Sequence, residues 1–302
     1  MRYAVTGGAG FVGSNLVKLL VDQGHEVTVV DNLYKGKKEN LERVLHKIKF
    51  EEIDIRDFDN LEKVLKSTNG VFHQAALTVV QDSFDNPAEY HDVNVRGTEN
   101  IFKIAKNFNL KVVYASSSSV YGDVTRIPIN ENFQRKPLNP YGKTKLDDEI
   151  LAEHFSNEGV DIIGLRYFNV YGIGQTGTYA GVITKFIQNL SQNMPPIIYG
   201  DGSQTRDFIH VLDIANANLE VMNSSLNRGF FNVGTGKTIS IKELAETMIK
   251  IYENDITPIY KKPLPGDVKQ SQADIQKLQN LINWKYNIEI DQGLKNIIKN
   301  EI

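Results

Sequence analysis

Short apolar runs alternate with segments of helical spacing along the first half of the chain. Arg2 to Thr6 is an apolar run, and apolar residues from Ser14 to Gly24 recur at three- and four-residue intervals, as in an amphipathic helix. The same pattern predicts strands at Glu26 to Val30, Ile48 to Ile53, Val71 to Ala76, Lys111 to Ala115 and Val160 to Leu165. This alternation predicts an α/β fold with a Rossmann-type, doubly wound parallel sheet.

The pattern changes after about residue 170. A loop-like stretch precedes a predicted helix from Val182 to Leu190 and an extended segment from Pro195 to Tyr199, whereas Phe230 to Val233 is typical of another strand of the main sheet. Residues 213–222, 240–252 and the tail are mainly helical in pattern. We therefore predict a Rossmann domain of residues 1–169 plus about 208–234. A smaller C-terminal α/β region, about 170–207 and 235–302, is predicted to interleave with it.

Composition excludes several classes of function. The 302 residues carry a formal charge of -3 and a pI of about 6.1, so no basic field favours nucleic acid or an anionic membrane. Cysteine is absent, which excludes disulfides, thiolate nucleophiles and zinc-thiolate sites. The six histidines lack close ligand spacing, so no metal site is expected. No signal peptide or spanning apolar run is found, and a cytoplasmic protein is expected.

A glycine-rich turn follows the first strand and precedes the first helix. Glycines at positions 7, 10 and 13 let the backbone turn tightly and approach a pyrophosphate, whose charge then lies at the helix N-terminus. A plain strand-to-helix turn would not need all three glycines. The segment therefore predicts a dinucleotide site.

The ends of the next strands predict which dinucleotide binds. Asp31, after the second strand, can accept hydrogen bonds from ribose hydroxyls and would repel a 2′-phosphate, so NAD is favoured over NADP. The preference is slightly weakened by three nearby lysines, Lys35, Lys37 and Lys38. We interpret these lysines as solvated loop charges. The Asp54-Ile55 pair after the third strand is placed to meet adenine, and the small residues Ala75 and Ala76 leave room for the cofactor.

Two further segments carry candidate chemistry. Ser116 to Ser119 follow the fifth strand, at the edge of an open α/β sheet where ligands bind, so we interpret this run as a site and not as a flexible loop. Tyr141 and Lys145 stand four residues apart on a predicted helix and share one face. A cation beside a phenol favours the phenolate, which could act as a base near neutral pH. Alone, this spacing is also typical of a solvated helix face.

Taken together, these motifs resemble the extended short-chain dehydrogenase/reductase family. The glycine loop, Asp31, Ser117 and Tyr141-x-x-x-Lys145 have its order and spacing, over nearly all of the chain. Residues 165–169 (LRYFN), 200–207 (GDGSQTRD) and 265–267 (PGD) resemble nucleotide-sugar enzymes among the NAD-dependent epimerase/dehydratases, most closely UDP-glucose 4-epimerases.

The resemblance implies 4-epimerisation of a UDP-hexose through a transient 4-keto sugar, with a tightly bound NAD. Tyr141 is then the base at the sugar 4-hydroxyl, Lys145 supports the phenolate and bonds the nicotinamide ribose, and Ser117 bonds the same sugar oxygen. The implied NAD site comprises Gly7, Gly10, Phe11, Val12, Gly13, Asp31, Asn32, Asp54, Ile55, Ala75, Ala76, Asn94, Ser116, Tyr141, Lys145 and Tyr167.

The resemblance also implies a substrate site. Asn169 and Arg206 match diphosphate contacts, since a guanidinium donates two parallel hydrogen bonds to phosphate; an ion pair with Asp207 is the alternative for Arg206. Tyr199 resembles the segment beside the uracil. The full set of implied substrate residues is Ser117, Asn169, Val182, Tyr199, Arg206, Asp267 and Ser271.

Two positions depart from the family pattern. Leu264 stands where relatives commonly carry a second phosphate-binding arginine, and Lys261 or Lys262 is the candidate replacement. Ser271 stands where epimerases confined to glucose and galactose tend to have a tyrosine. The smaller residue leaves room for a 2-N-acetyl group, so activity on UDP-N-acetylglucosamine as well as UDP-glucose is predicted.

Other functions are weighed against the same residues. A 4,6-dehydratase or decarboxylase would carry carboxylates where Ser117, Ser118 and Ser119 stand, and serines cannot serve as acid and base at carbons 5 and 6. A reductase using free NADPH disagrees with Asp31. A non-catalytic NAD sensor would have little reason to retain serine, tyrosine and lysine together.

The resemblance further implies a homodimer through helices around Ala88 to Phe108 and Pro140 to His154.

Overall fold

Seven parallel strands form the main sheet. The computed structural model describes residues 1–175, 181–253, 255–263 and 268–301. Strands are numbered along the chain, and the sheet has the order β11-β6-β5-β4-β1-β2-β3. Its members are β1 (Arg2–Thr6), β2 (Glu26–Val30), β3 (Ile48–Glu51), β4 (Gly70–His73), β5 (Lys111–Ser117), β6 (Ile162–Tyr167) and β11 (Arg228–Val233). The order reverses between β1 and β4, and this reversal opens a crevice for ligands at the carboxyl ends of the strands.

Helices cover both faces of this sheet, which confirms the predicted fold class. On one face α1 (Phe11–Asp22) and α8 (Val211–Asn223) bury Leu16, Val17 and Ile214 against Val5 and Phe72. The other face is covered by α2 (Phe58–Leu65), α5 (Gly97–Phe108) and α6 (Pro140–Asn157). Because both faces are buried, the strands are mainly apolar, as their sequence pattern indicates.

The helical stretch before β5 is more complex than predicted. The segment predicted as one helix begins at α4 (Pro87–Tyr90), passes through a π-helical turn at His91–Arg96 and continues as α5. A short helix, α3 (Val80–Asp85), precedes it. The prediction did not include α2 or a 3-10 helix at Lys38–Lys47. Lys38 therefore begins a helical segment and does not lie in the predicted loop.

In the remaining region, the described residues form short strands and four helices. Strand β7 (Asn169–Tyr171) pairs with β10 (Phe208–His210), and β8 (Ile197–Tyr199) with β13 (Ile259–Lys261). A third small sheet has the order β12-β9-β14, from Ile239–Ser240, Thr205–Arg206 and Gln270–Ser271. The helices are α7 (Val182–Leu190), α9 (Ile241–Ile251), α10 (Gln276–Ile282) and α11 (Ile290–Glu301). The predicted domain boundaries stay a prediction.

Local sequence signals explain where α6 begins. Asn139 precedes it in an extended conformation, and its side-chain oxygen accepts a hydrogen bond from Gly142 N at 2.7 Å. Pro140 occupies the first turn, where a missing N–H costs no helical hydrogen bond. The cap fixes Tyr141 in the first turn and Lys145 one turn later. Among the described residues, no helix is long and apolar enough to cross a membrane.

Candidate active site

Two cavities formed by the described residues are relevant to the predicted site, and the larger of these lies at the carboxyl ends of β1, β2 and β4. Its volume is about 500 Å³. It is lined by eleven of the residues predicted to bind NAD: Gly7, Gly10, Phe11, Val12, Gly13, Asp31, Asn32, Asp54, Ile55, Ala75 and Ala76. The sequence predicted these residues from strand ends and a glycine turn, and the fold brings them to one crevice.

Close backbone packing explains two of the glycines in this cavity. A Cβ added at Gly13 would lie 2.1 Å from Gly7 O, and one added at Gly7 would lie 2.6 Å from Ala75 N. Gly7 also has φ +65, a conformation that side chains disfavour. The turn therefore exposes bare backbone at the N-terminus of α1, where a pyrophosphate would be held.

Two carboxylates frame the end of the larger cavity near β2. Asp31 is almost fully buried, which raises its pKa, and it accepts hydrogen bonds from Ala9 N at 2.9 Å and Leu33 N at 2.8 Å. Asp54 forms an ion pair with Arg56 at 2.8 Å, and that guanidinium lowers the Asp54 pKa to about 2. Arg56 also lines the cavity and was missed from the sequence, where no motif marks it.

Three predicted cofactor residues lie behind this cavity and do not line it. The Ser116 hydroxyl donates a 2.6 Å hydrogen bond to Glu149 Oε1. The Tyr167 hydroxyl contacts Gln74 and Asn218, and burial raises its pKa. Asn94 is fully buried in the π-helical turn. Their side chains position neighbouring elements.

Asn94 and Tyr90 fix the loop that follows β4. Asn94 accepts a hydrogen bond from Leu77 N at 2.7 Å and donates to Leu77 O at 2.9 Å and to Thr144 Oγ1 at 3.0 Å. The Tyr90 hydroxyl donates to Val79 O at 2.7 Å and accepts from Val79 N at 3.1 Å. Because Thr144 belongs to α6, these contacts tie the loop to the helix that carries Tyr141.

The predicted catalytic residues come from the end of β5 and the start of α6. Ser117 ends β5, and its hydroxyl accepts a hydrogen bond from Ser119 N at 3.1 Å. Tyr141 is half-buried, and its backbone N–H donates to Ser83 Oγ at 3.2 Å. Lys145 is buried, with Nζ 3.1 Å from Asp148 Oδ2. Among the described residues these three line neither cavity, although their chain neighbours Ser118 and Asn139 line the smaller one.

The smaller cavity, of about 250 Å³, brings together three of the predicted substrate residues. Asn169, Arg206 and Ser271 all line it, and Ser271 stands opposite Arg206 in the pairing of β14 with β9. Two of its other polar lining residues, Ser118 and Ser119, belong to the serine run predicted as a site, whereas the sequence did not predict Gln81, Asn139 and Gln270. No local motif marks them because the cavity forms where distant segments meet.

The remaining predicted substrate residues have other positions. Val182 packs against the apolar cluster of the smaller region, and Tyr199 is half-buried at the end of β8. Asp267 and Leu264 lie outside the described residues. Asp207, beside Arg206, is fully buried and accepts hydrogen bonds from Thr235 N, Gly236 N and Ala273 N. It therefore joins its own segment, between β9 and β10, to the loop after β11 and to the segment after β14.

Comparison with known proteins agrees with this geometry. Residues 3–234 match the family model described as the NAD dependent epimerase/dehydratase family. The chain belongs to this family. A UDP-N-acetylglucosamine 4-epimerase of Methanobrevibacter ruminantium M1, solved with UDP-N-acetylmuramic acid, is 40% identical with a TM-score of 0.95, over 99% of this chain and 97% of that chain.

Other relatives in the family have different names. The UDP-glucose 4-epimerase of Thermotoga maritima, solved with UDP-glucose, is 34% identical with a TM-score of 0.95, over 99% of this chain and 98% of that chain. A UDP-N-acetyl-alpha-D-glucosaminuronate decarboxylase of Bacillus cytotoxicus is 33% identical over 99% of this chain and 97% of its own length. Family membership therefore leaves the reaction and the sugar open.

NAD is the cofactor of this family, and the larger cavity fits it. Gly7 and Gly13 leave bare backbone where a diphosphate needs close approach, and Asp31 lies where a ribose can be hydrogen-bonded. The predicted NAD requirement is confirmed by the family match.

A buried ionic network links β5, which ends at the predicted catalytic residue Ser117, to α6. Glu149 on α6 accepts hydrogen bonds from Arg166 Nε and Nη2, both at 2.8 Å, from Arg135 Nη1 at 3.0 Å and from Ser116 Oγ at 2.6 Å. Burying a carboxylate is costly unless several donors satisfy it, and here four donors do. The network fixes the end of β5 against α6, and thus Ser117 against the helix of Tyr141.

Proposed function

We propose that the chain is an NAD-dependent 4-epimerase of a UDP-hexose. The observation that carries this proposal is the chemistry of the smaller cavity. Its polar lining residues provide hydroxyl, amide and guanidinium groups beside apolar residues such as Val80, Ile129 and Leu138, and no carboxylate is among its described lining residues. Such a lining suits neutral hydroxyls and a diphosphate, and it lacks an acid-base pair for elimination.

The residues of this chain have separate roles in the proposed reaction. Tyr141 takes the proton from the sugar 4-hydroxyl and later returns it, and Ser117 hydrogen-bonds the same oxygen. Lys145 supplies a positive charge that favours the phenolate. NAD held by Gly7, Gly13 and Asp31 in the larger cavity would supply a hydride acceptor and donor for carbon 4 of the sugar. The protein therefore holds the nucleotide firmly while the hexose turns over.

Arg206 and Asn169 support recognition of the diphosphate in this proposal. Arg206 is buried at the wall of the smaller cavity, and its Nη1 donates to Thr205 O at 2.8 Å, which orients the guanidinium. The Asn169 side chain donates to Asp207 O at 3.1 Å. A guanidinium held in this way loses less conformational entropy when it binds a phosphate.

Ser271 supports acceptance of a 2-N-acetyl group. It is only 6% exposed, lines the smaller cavity and faces Arg206 across two short strands. A tyrosine at this position would fill space that a serine leaves open. We therefore propose UDP-glucose/UDP-galactose and UDP-N-acetylglucosamine/UDP-N-acetylgalactosamine as substrate pairs.

A decarboxylase or dehydratase is the second candidate, favoured by the decarboxylase relative named above. Against it stand Ser118 and Ser119 in the smaller cavity, where the family resemblance places a carboxylate in those enzymes. The test is incubation with UDP-glucose, UDP-N-acetylglucosamine and UDP-glucuronate without added cofactor, followed by NMR of the products. Release of carbon dioxide or a 4-keto-6-deoxy product would overturn the epimerase proposal.

Tyr141→Phe separates catalysis from a sensor role. The variant keeps the ring and removes the hydroxyl, so NAD should stay bound while turnover falls by at least about 100-fold, as for loss of an acid-base group. Wild-type turnover in the variant would contradict the assignment of Tyr141 as the base.

We also propose a homodimer through α5 and α6. The outward face of α6 carries Lys143, Asp147, Ile150 and His154, and Ile150 is 50% exposed. Phe108, at the end of α5, is also exposed. Sedimentation velocity of the purified chain measures this directly, and a monomer at micromolar concentration would exclude it.

A further inference from the structure

A series of buried polar side chains leads from the main sheet to the helix of Tyr141. Thr6 Oγ1 lies 2.7 Å from His73 Nδ1, and His73 Nε2 lies 2.8 Å from Thr98 Oγ1. The next buried group is Asp148, whose Oδ2 accepts a 3.1 Å hydrogen bond from Lys145 Nζ. All five side chains are buried. The predicted catalytic lysine therefore has a buried carboxylate partner that the sequence analysis did not identify.

Asp148 is an unusual group to bury. It is 0% exposed, and its Oδ1 has no hydrogen-bond partner among the described residues. Burial raises the pKa of this carboxyl to about 7, although Lys145 and the Thr98 hydroxyl act in the opposite direction. Burying a carboxylate with an unsatisfied oxygen destabilises the folded protein, and an apolar residue at this position would not have this effect. The charged partner of Asp148 is the ammonium of Lys145, and the Thr98 hydroxyl also hydrogen-bonds to the carboxyl.

The surroundings of Asp148 leave Lys145 as its principal charged neighbour. Asp147 precedes it on the same helix but pairs with Lys143 at the surface. Burial lowers the pKa of His73 on β4 to about 3, so this ring is neutral near pH 7. Burial also raises the pKa of Tyr114 on β5, which keeps that phenol neutral. Thr98 on α5 contributes only a hydroxyl.

We propose that Asp148 is a positioning residue for Lys145. Its carboxylate is a buried counter-ion that holds the Lys145 ammonium in place on α6. The same carboxylate reduces the electrostatic effect of that ammonium on the Tyr141 phenol. This inference rests on the proposed roles of Tyr141 and Lys145. When Asp148 is ionised it compensates the ammonium, and the phenolate is less favoured. When Asp148 is neutral the full charge of Lys145 acts on the phenol. The protonation state of Asp148 thereby sets how strongly Lys145 favours the Tyr141 phenolate.

The test is a pH titration of the Tyr141 phenolate by ultraviolet difference spectroscopy in the NAD-bound protein without sugar. Each sample is compared with its Tyr141→Phe counterpart, which removes the signal of the other tyrosines. Asp148→Asn keeps the size and removes the charge, and we expect the Tyr141 transition to move to lower pH by about one unit, the order for a unit charge a few ångströms away.

Asp147→Asn is the matched control. It makes the same charge change at the adjacent residue, whose ion pair is partly solvent-exposed, and should leave the Tyr141 transition in place because solvent screens that charge. An unchanged transition in Asp148→Asn, or an equal shift in both variants, would overturn the proposal. If Asp148 had only a structural role, Asp148→Asn would change thermal stability without moving the Tyr141 transition to lower pH.

A second measurement applies if Asp148→Asn does not fold. Coupling between two sites is reciprocal, so loss of the ammonium must act on the carboxyl. In ¹³C-aspartate NMR, a buried carboxyl should titrate near neutral pH in the wild type and at higher pH in Lys145→Met. If Lys145→Met leaves the titration midpoint of Asp148 unchanged, the coupling between the two residues is rejected. Neither measurement uses a sugar, so absence of epimerase activity would count against the proposed function and not against this pair.

Discussion

The two cavities are built in different ways. The larger one is assembled at the ends of adjacent strands of one sheet, largely from backbone and from residues in continuous motifs such as Gly7 to Gly13. The smaller one collects single side chains from separate segments, with Asn169 on β7, Arg206 on β9 and Ser271 on β14. Under the proposed function, cofactor binding is therefore fixed by the fold, whereas substrate choice would depend on a few single side chains.

The largest effect should come from Gly13→Ala. Its Cβ would lie 2.1 Å from Gly7 O, so backbone must shift in the turn that is predicted to hold the pyrophosphate. We expect NAD binding to weaken by about 100-fold, since forcing extra volume into close packing costs on the order of 1–3 kcal/mol. The measurement is NAD content after purification, followed by calorimetric titration.

Gly10→Ala is the matched control for that prediction. The same change in the same turn places a Cβ 3.2 Å from Gly7 O, which requires a far smaller adjustment. We therefore expect NAD binding within about tenfold of wild type. Equal losses in the two variants would mean that the turn responds to any side chain, and the packing explanation would be wrong.

The contrast between the cavities also explains what the sequence could predict. Local signals place β1 and β2 with their observed bounds and identify the glycine turn, because propensity, spacing and strand-end position all lie within a short window. The π-helical turn, Arg56 and Asp148 were missed. Their importance comes from tertiary contacts, such as Arg56 with Asp54 or Asp148 with Lys145.

A smaller effect is expected from Arg206→Leu, which tests the second cavity. Removing a charge-assisted hydrogen bond to phosphate should weaken UDP binding by about 30-fold, or about 2 kcal/mol. NAD content should stay at the wild-type level, because Arg206 does not line the larger cavity among the described residues. Calorimetric titration with UDP measures the loss.

Arg228→Leu provides the control for Arg206→Leu. Arg228 is exposed at the start of β11, away from the smaller cavity, and its loss removes the same charge. UDP affinity should be unchanged in this variant. If both variants weaken UDP binding equally, the effect comes from the net charge of the protein and not from a contact at the diphosphate.

The smallest effect on the proposed UDP-glucose reaction is expected from Ser271→Tyr, which changes selectivity. Ser271 lines a cavity of only about 250 Å³, so a phenol there would take the space required for a 2-N-acetyl group. Turnover of UDP-N-acetylglucosamine should fall on the order of tenfold or more relative to UDP-glucose, while NAD content is unaffected. Ser271→Ala keeps the space and should retain both activities. If tyrosine reduced both reactions equally, the substitution would have disturbed Arg206 across the β9-β14 pair, and this position would not select the sugar.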